Sequence, residues 1–272
     1  MKFSSPELKS KLLEMFKWFH DFCVKNNLKY YMLAGTMLGA ARHEGFIPWD
    51  DDIDVGMPRE DYEKLEQILV GKQDKYILET PNSDSKDFFY PISKLYDTTT
   101  TLIENTKCKI KRGIYIDIFP LDGMGSTENE SKQIYSKVKR KHNLLLTRTT
   151  GIRKGRSFLK NAAVVCARLI PGFILNKKKI LKNLSYISKT YNYDNSSLCG
   201  TFFGAYGFKE IINKDVIGKP TIYKFEGLDV YGVENANEYL TSVYGDWRKL
   251  PPKEKRVSHH DFIDCDLSKP FI

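Results

Sequence analysis

Three carboxylates spaced two residues apart are the strongest chemical signal in this sequence. Asp50, Asp52 and Asp54 lie together, and the apolar Ile53 and Val55 flank the last of them. Because side chains alternate between the two faces of a strand, this pattern predicts a strand with all three carboxylates on one face. Such a group is stable only around a cation or in water, and its oxygen ligands suit Mg²⁺ or Mn²⁺. The alternative is an acidic turn leading into a strand, which the apolar neighbours disfavour.

A Gly-Thr pair lies upstream of these carboxylates, between an apolar run and a helix-like run. Gly35 would let a ligand approach the backbone closely, and Thr36 would cap the helix that follows. The free N–H groups and the positive dipole end at a helix N-terminus favour a phosphate. Most Gly-Thr turns are only caps. The position of this one, before the acidic strand, predicts a phosphate cradle beside a metal site.

A single acid inside a later β-branched run completes the set. Asp117 lies between Ile116 and Ile118. A carboxylate in such a run is costly unless it is paired or bound to metal, so Asp117 is predicted to be a further metal ligand or a base. The alternative is an edge strand that carries Asp117 on its outer face.

Together the three segments resemble the nucleotidyltransferase superfamily, in which Gly-Ser or Gly-Thr precedes Asp-x-Asp and a lone Asp on a later strand. The run from Gly35 to Asp54 is similar almost throughout to the signature of the LicD family. The segments 91–97 and 244–260 are also similar to that family, so the resemblance covers most of the chain from about Tyr30 onward.

The resemblance implies a phosphotransferase. LicD-like enzymes move phosphocholine from CDP-choline to a sugar hydroxyl, and relatives use other CDP-linked alcohols such as ribitol or glycerol phosphate. It therefore implies a Mg²⁺- or Mn²⁺-dependent enzyme that releases CMP. The acceptor would be a cell-surface glycan precursor, of teichoic acid, lipopolysaccharide or capsule, and is expected to be lipid-linked.

Roles for individual residues follow from the motifs and the resemblance. Asp52 and Asp54 would hold one or two ions, with Asp50 as a further ligand, and Asp117 would complete a second metal position or accept the acceptor's proton. A guanidinium fork matches phosphate oxygens, although a solvated charge is the usual fate of Lys and Arg. The predicted substrate-binding residues are Gly35, Thr36, Arg42, Lys94, Arg256 and His259. His259 and its neighbour His260 could equally be a polar surface pair.

Charge is distributed unevenly along the 272 residues. Between Ser131 and Tyr193 there are 16 Lys or Arg and no Asp or Glu, whereas the remainder carries 27 basic and 34 acidic residues. We expect this basic segment to contact an anionic membrane surface. A solvated insertion that helps bind an anionic donor is the close alternative, and nucleic acid is a distant one because no nucleic-acid motif is present.

The predicted fold is α+β, a nucleotidyltransferase-like mixed sheet flanked by helices with a basic helical insertion. Residues 1–123 would form an N-terminal helix, capped by Ser5 and ending near Asn26, plus the catalytic core. Residues 124–195 would be the insertion, and 196–272 would complete the active site with strands near 221–225 and 228–233 and a helix at 235–244. Five scattered cysteines, no signal-peptide pattern and no membrane-spanning run predict a cytoplasmic protein, and the basic segment predicts that it is peripheral on the inner membrane face.

Two other functions use the same residues. A true nucleotidyltransferase would move a nucleotide to a small molecule and release pyrophosphate. A non-catalytic binding protein could retain the fold. The intact Gly-Thr pair and the carboxylates Asp52, Asp54 and Asp117 disfavour this alternative.

Overall fold

The helices and strands are taken from a computed structural model, which describes residues 5–72, 74–83, 85, 87–104, 110–149, 157, 159, 162, 165–166, 176–257 and 262–272. The helices are α1 (Pro6–Lys25), α2 (Ala34–His43), α3 (Arg59–Leu69), α4 (Glu128–Thr149), α5 (Lys177–Ser188), α6 (Lys214–Ile217) and α7 (Ala236–Tyr244). The strands are β1 (Tyr31–Met32), β2 (Asp54–Pro58), β3 (Tyr76–Glu79), β4 (Ser93–Asp97), β5 (Thr101–Glu104), β6 (Lys111–Arg112), β7 (Tyr115–Gly123), β8 (Leu198–Gly200), β9 (Ile212–Asn213), β10 (Thr221–Phe225), β11 (Leu228–Gly232) and β12 (Phe262–Asp266).

The central sheet is mixed. Its strand order is β1-β2-β7-β4-β3, and β8 pairs with both β7 and β9. β2 and β7 run parallel, whereas β1, β3 and β4 pair with antiparallel neighbours. Helices pack on this sheet, so the predicted α+β class is confirmed.

The first helix forms where its local pattern predicts. Ser5 caps it by accepting a hydrogen bond from the Leu8 amide at 3.2 Å, and Pro6 occupies the first turn. The side chains that recur at helical spacing on its inner face are fully buried, which stabilises the fold by about 1.5–3 kcal/mol for each large apolar side chain. These are Leu12, Met15, Phe16 and Phe19.

The last third of the chain packs against the same core as the first. The strands β10 and β11 lie where strands were predicted and pair as an antiparallel hairpin, and α7 follows with Asn235 as its N-cap. Phe225 of the hairpin contacts Phe16 of α1 edge to face, with ring centroids 5.7 Å apart. The main apolar cluster therefore joins the N-terminal helix, the sheet and the C-terminal elements.

The basic segment is mostly helical where the structure describes it. α4 and α5 share a separate apolar cluster that includes Val138, Leu145, Leu181 and Leu184. Most of residues 150–175 lie outside the described residues. None of the described helices combines the length and the apolar character that a membrane crossing requires. The described cysteines, Cys23, Cys166, Cys199 and Cys265, carry free thiols.

Candidate active site

Charged side chains form a row across three neighbouring strands. Asp54 of β2 is the register partner of Asp117 in β7, and Asp117 is the partner of Lys94 in β4. Register partners point to the same face, and neighbouring strands lie about 4.8 Å apart. The sheet topology therefore brings together three residues that are far apart in the sequence.

The acidic segment differs from the predicted strand. β2 begins only at Asp54, so Asp50 and Asp52 precede it in irregular backbone. The alternation nevertheless persists, because Asp51 and Ile53 are buried whereas Asp50, Asp52 and Asp54 line a cavity. A hydrogen bond from the Asp117 amide to the Ile53 carbonyl, at 3.0 Å, extends the strand-like path beyond β2. The predicted shared face is confirmed, but the predicted strand is too long.

The Gly-Thr pair lies inside the helix rather than before it. α2 begins at Ala34, and Leu33 is its N-cap, without a side-chain cap. The prediction that Thr36 caps this helix is wrong. Its hydroxyl accepts a hydrogen bond from the Asp54 amide at 2.8 Å, so Thr36 ties the helix to β2 instead. Gly35 lines the cavity, and a Cβ there would lie 2.5 Å from Asp50 Oδ2.

Lys94 is buried and paired with a carboxylate. Its side chain is 3% exposed, and its Nζ lies 2.6 Å from Asp117 Oδ1. The same Nζ lies 3.5 Å from the centre of the Tyr115 ring and 4.5 Å from that of Tyr90. The sequence predicted a phosphate contact for Lys94. That contact stays a prediction, and the ion pair with Asp117 is an additional role.

The carboxylates are close enough to affect one another's protonation. Burial raises the pKa of Asp54 well above its usual value, and the charges of Asp52, Asp117 and Asp50 raise it further, whereas Lys94 opposes the rise. This cluster is the kind of oxygen donor set that divalent cations favour. No three such donor side chains among the described residues are yet close enough together to hold an ion. The donor chemistry fits a metal, but ion binding would have to draw the side chains together.

One cavity of about 1090 Å³ contains the whole acidic group. Arg42 also lines it, and its Nη1 donates to the Trp247 carbonyl at 2.7 Å. Arg256 does not line this cavity. Its Nε donates to the Pro251 carbonyl at 2.9 Å, and its guanidinium lies 5.6 Å from the centre of the Trp49 ring. The predicted contact of His259 falls outside the described residues.

Comparison with known proteins places this sequence in a family. A model described as "LicD/FKTN/FKRP, nucleotidyltransferase domain" matches residues 27–146, which include all four carboxylates. The lipopolysaccharide cholinephosphotransferase LicD of Haemophilus influenzae is 32% identical over 257 residues, 91% of this chain and 92% of that protein. The chain belongs to the LicD family.

Two shorter similarities accompany this match. An uncharacterized protein of Rickettsia prowazekii is 50% identical over 58 residues, 21% of this chain and 22% of that protein. The human ribitol 5-phosphate transferase FKRP is 46% identical over 41 residues, 15% of this chain and 8% of that protein. The relation to LicD thus extends along the chain, whereas these two are local.

Several cavity residues of this LicD family member were missed from the sequence. Tyr115 could have been found, because it precedes Asp117 by two positions in one strand and so shares its face. Tyr90 and Glu104 carry no local signal. Tyr239 lies in the core rather than in the cavity wall, and it was also missed: its hydroxyl accepts a hydrogen bond from the Ala34 amide at the start of α2, at 3.0 Å.

Proposed function

We propose that the protein is a metal-dependent phosphotransferase that moves phosphocholine, or a related alcohol phosphate, from a CDP-linked donor to a hydroxyl of a cell-surface glycan precursor, with release of CMP. The row of Asp54, Asp117 and Lys94 at the wall of a large cavity carries the proposal. The relation to a lipopolysaccharide cholinephosphotransferase along 91% of the chain supports the reaction class.

Each carboxylate has a position suited to its proposed role. Asp52 and Asp54 would hold a Mg²⁺ or Mn²⁺ ion, with Asp50 beside them, since all three line the cavity. A bound ion would supply neutralisation of charge on the donor diphosphate. Asp117, oriented by Lys94, would accept the proton of the attacking hydroxyl or add a ligand.

Cationic side chains of the cavity would bind the rest of the donor. Arg42, Lys249 and Lys255 line it, and guanidinium and ammonium groups suit diphosphate oxygens. The first turn of α2 lies at the same wall, through Ala34 and Gly35, and the positive end of its helix dipole favours an anion, although the Ala34 amide itself is bonded to Tyr239. Because much of such catalysis is positioning and charge stabilisation, these contacts would contribute directly to the rate.

The direct test is CMP release by the purified protein. CDP-choline, CDP-ribitol and CDP-glycerol are supplied in turn, with Mg²⁺ or with EDTA. We expect metal-dependent CMP from one donor, and its loss in Asp52→Asn. Asp229→Asn is the matched control, because Asp229 is exposed and pairs with Lys224 on the hairpin. It lies away from the row of Asp54, Asp117 and Lys94, which we call the carboxylate row. The proposal is refuted if no donor gives CMP and no donor binds in a metal-dependent way.

Nucleotide transfer is the second candidate, because the matched family model is described as a nucleotidyltransferase domain. Labelled ATP or CTP replaces the CDP-alcohol in this test, together with a panel of small-molecule hydroxyl acceptors. Label on the acceptor with release of pyrophosphate would establish this alternative.

A membrane-bound acceptor would suit the charge of the helical segment. The acceptor glycan is proposed to be lipid-linked, and exposed Lys137, Arg140 and Lys141 of α4 would attract anionic headgroups by about 1 kcal/mol each. The protein would then be cytoplasmic and peripheral at the inner face of the membrane.

A further inference from the structure

The buried ammonium of Lys94 has negative groups on more than one side. Asp117 contacts it directly, and the faces of Tyr115 and Tyr90 lie against it. Lysine is almost never buried unless it is paired, and these contacts explain how a buried ammonium group is accommodated here. Its stem is fixed by β4, whose register sets Lys94 beside Asp117.

A second carboxylate, that of Glu104, accepts hydrogen bonds from the hydroxyls of both rings. The Tyr115 hydroxyl donates to Glu104 Oε1 at 2.9 Å, and the Tyr90 hydroxyl donates to Oε2 of the same side chain. Each tyrosine therefore contacts the ammonium with its ring face and the carboxylate with its hydroxyl. A phenol that donates to an anion is polarised toward a more negative ring, which strengthens its attraction for a cation.

We propose that Lys94 is the resident cation of the carboxylate row and takes the place of a second divalent ion at Asp117. The site then binds one divalent ion, on the side of Asp52 and Asp54. Glu104 is a positioning residue that acts on Lys94 through Tyr90 and Tyr115. This inference rests on the metal dependence in the proposed function.

The position of Lys94 explains why a second divalent ion would be excluded from Asp117. A Mg²⁺ ion would lie about 2.1 Å from a carboxylate oxygen, and Lys94 Nζ already lies 2.6 Å from Asp117 Oδ1. Two cations at that oxygen would repel each other strongly in a partly desolvated site. Since the Lys94 side chain is 3% exposed and enclosed by two rings, it has little room to move aside. Unlike a metal ion, this cation cannot leave with the product.

Counting bound metal tests the inference without any reaction. Protein freed of metal with EDTA and then desalted is titrated with Mn²⁺, by calorimetry and by the paramagnetic signal of free Mn²⁺. We expect one ion per chain in the wild type and a second in Lys94→Met, which keeps a long apolar stem but removes the charge. Adding Asp117→Asn to that variant should abolish the second ion. Lys189→Met is the control, because it removes the same charge from a surface pair with Glu63.

Two results overturn the inference: two ions in the wild type, or an unchanged count in Lys94→Met. If Lys94→Met does not fold, Lys94→Gln carries the test, because it keeps a hydrogen-bond donor for Asp117 without the charge, and an unchanged count there also overturns the inference. Glu104→Gln tests the positioning role. It keeps a hydrogen-bond acceptor for the tyrosines but removes the charge behind them, so a second, weaker Mn²⁺ should appear. An unchanged count there would refute the role of Glu104. Lys94→Arg, which restores the charge, should bind one ion.

The proposed function can fail separately from this inference. A wild type that releases CMP while it binds two ions refutes only the role of Lys94. A wild type that binds one ion but neither binds nor cleaves any CDP-alcohol refutes only the proposed reaction.

Discussion

Glu210 is a buried acid in the cavity wall, and replacing it by glutamine should stabilise the protein above neutral pH. Its side chain accepts a hydrogen bond from the Tyr206 amide at 2.6 Å, and the residue is 6% exposed. Burial raises its pKa from 4.5 to about 7, against the opposing effects of the Tyr206 and Gly207 amides and the charge of Lys139. The charged form is thus disfavoured in the folded protein.

The sign and the size of the effect follow from proton linkage. An acid with a raised folded pKa binds more protons in the native state, so its contribution to stability falls as pH rises from 4.5 to about 7. At about 1.36 kcal/mol per pKa unit the full loss is about 3 kcal/mol, of which about 2.5 kcal/mol falls between pH 5 and pH 8. Glu210→Gln cannot ionise and avoids this loss. The Tm advantage at pH 8 should be roughly 5–10 °C for a chain of this size.

Urea unfolding of both proteins at several pH values measures the difference. The stability of Glu210→Gln relative to the wild type should rise steadily from pH 5 to pH 8, whatever its offset at pH 5. The same substitution at the exposed Glu254 controls for the loss of one charge. A difference between Glu210→Gln and the wild type that does not change with pH would refute the assignment of a raised pKa to Glu210.

Three further predictions concern the acidic group in the cavity and the basic residues of α4. Asp54→Asn should abolish turnover yet raise the Tm of the metal-free protein at neutral pH, because burial and neighbouring acids disfavour its charge; scanning calorimetry with EDTA should show the gain vanish as pH falls. Gly35→Val should lower donor affinity at least tenfold with little change in Tm, since a side chain there must displace the Asp50 carboxylate. Calorimetric titration of the donor checks this, and a large fall in Tm with unchanged donor affinity would contradict it. Reversing Arg140 and Lys141 to Glu should reduce co-sedimentation with anionic vesicles but not with neutral ones; equal binding to both vesicles by the wild type would remove the membrane from the proposal.

Local patterns predicted the elements whose stability is local. The cap at Ser5, the helical spacing in α1 and the strands β10 and β11 depend on nearby residues, and the structure has them at the predicted positions. The predicted alternation of Asp50, Asp52 and Asp54 is also present, although no regular strand forms at the first two. The intervening side chains of Asp51 and Ile53 are buried, which keeps the other three on the opposite side.

Contacts between distant segments could not be predicted in this way. Lys94 meets Asp117 through the register of two antiparallel strands, and that register depends on the whole sheet. Glu104 reaches the tyrosines because β5 pairs with β6 and β12 beside them. The cap assigned to Thr36 was wrong for a related reason: the N-cap is Leu33, three residues earlier, and Tyr239 satisfies the amide of Ala34, the first helical residue.

That last contact has a consequence for synthesis of the chain. The Ala34 amide and the Tyr239 hydroxyl that receives its hydrogen bond are separated by 205 residues, and so are Arg42 and the Trp247 carbonyl. At 5–20 residues per second, a ribosome needs roughly 10–40 s to deliver the second partner after the first. During that interval the nascent chain exposes the apolar surface that β10, β11 and α7 will cover. The N-terminal core is therefore incomplete on the ribosome until the last third of the chain has emerged.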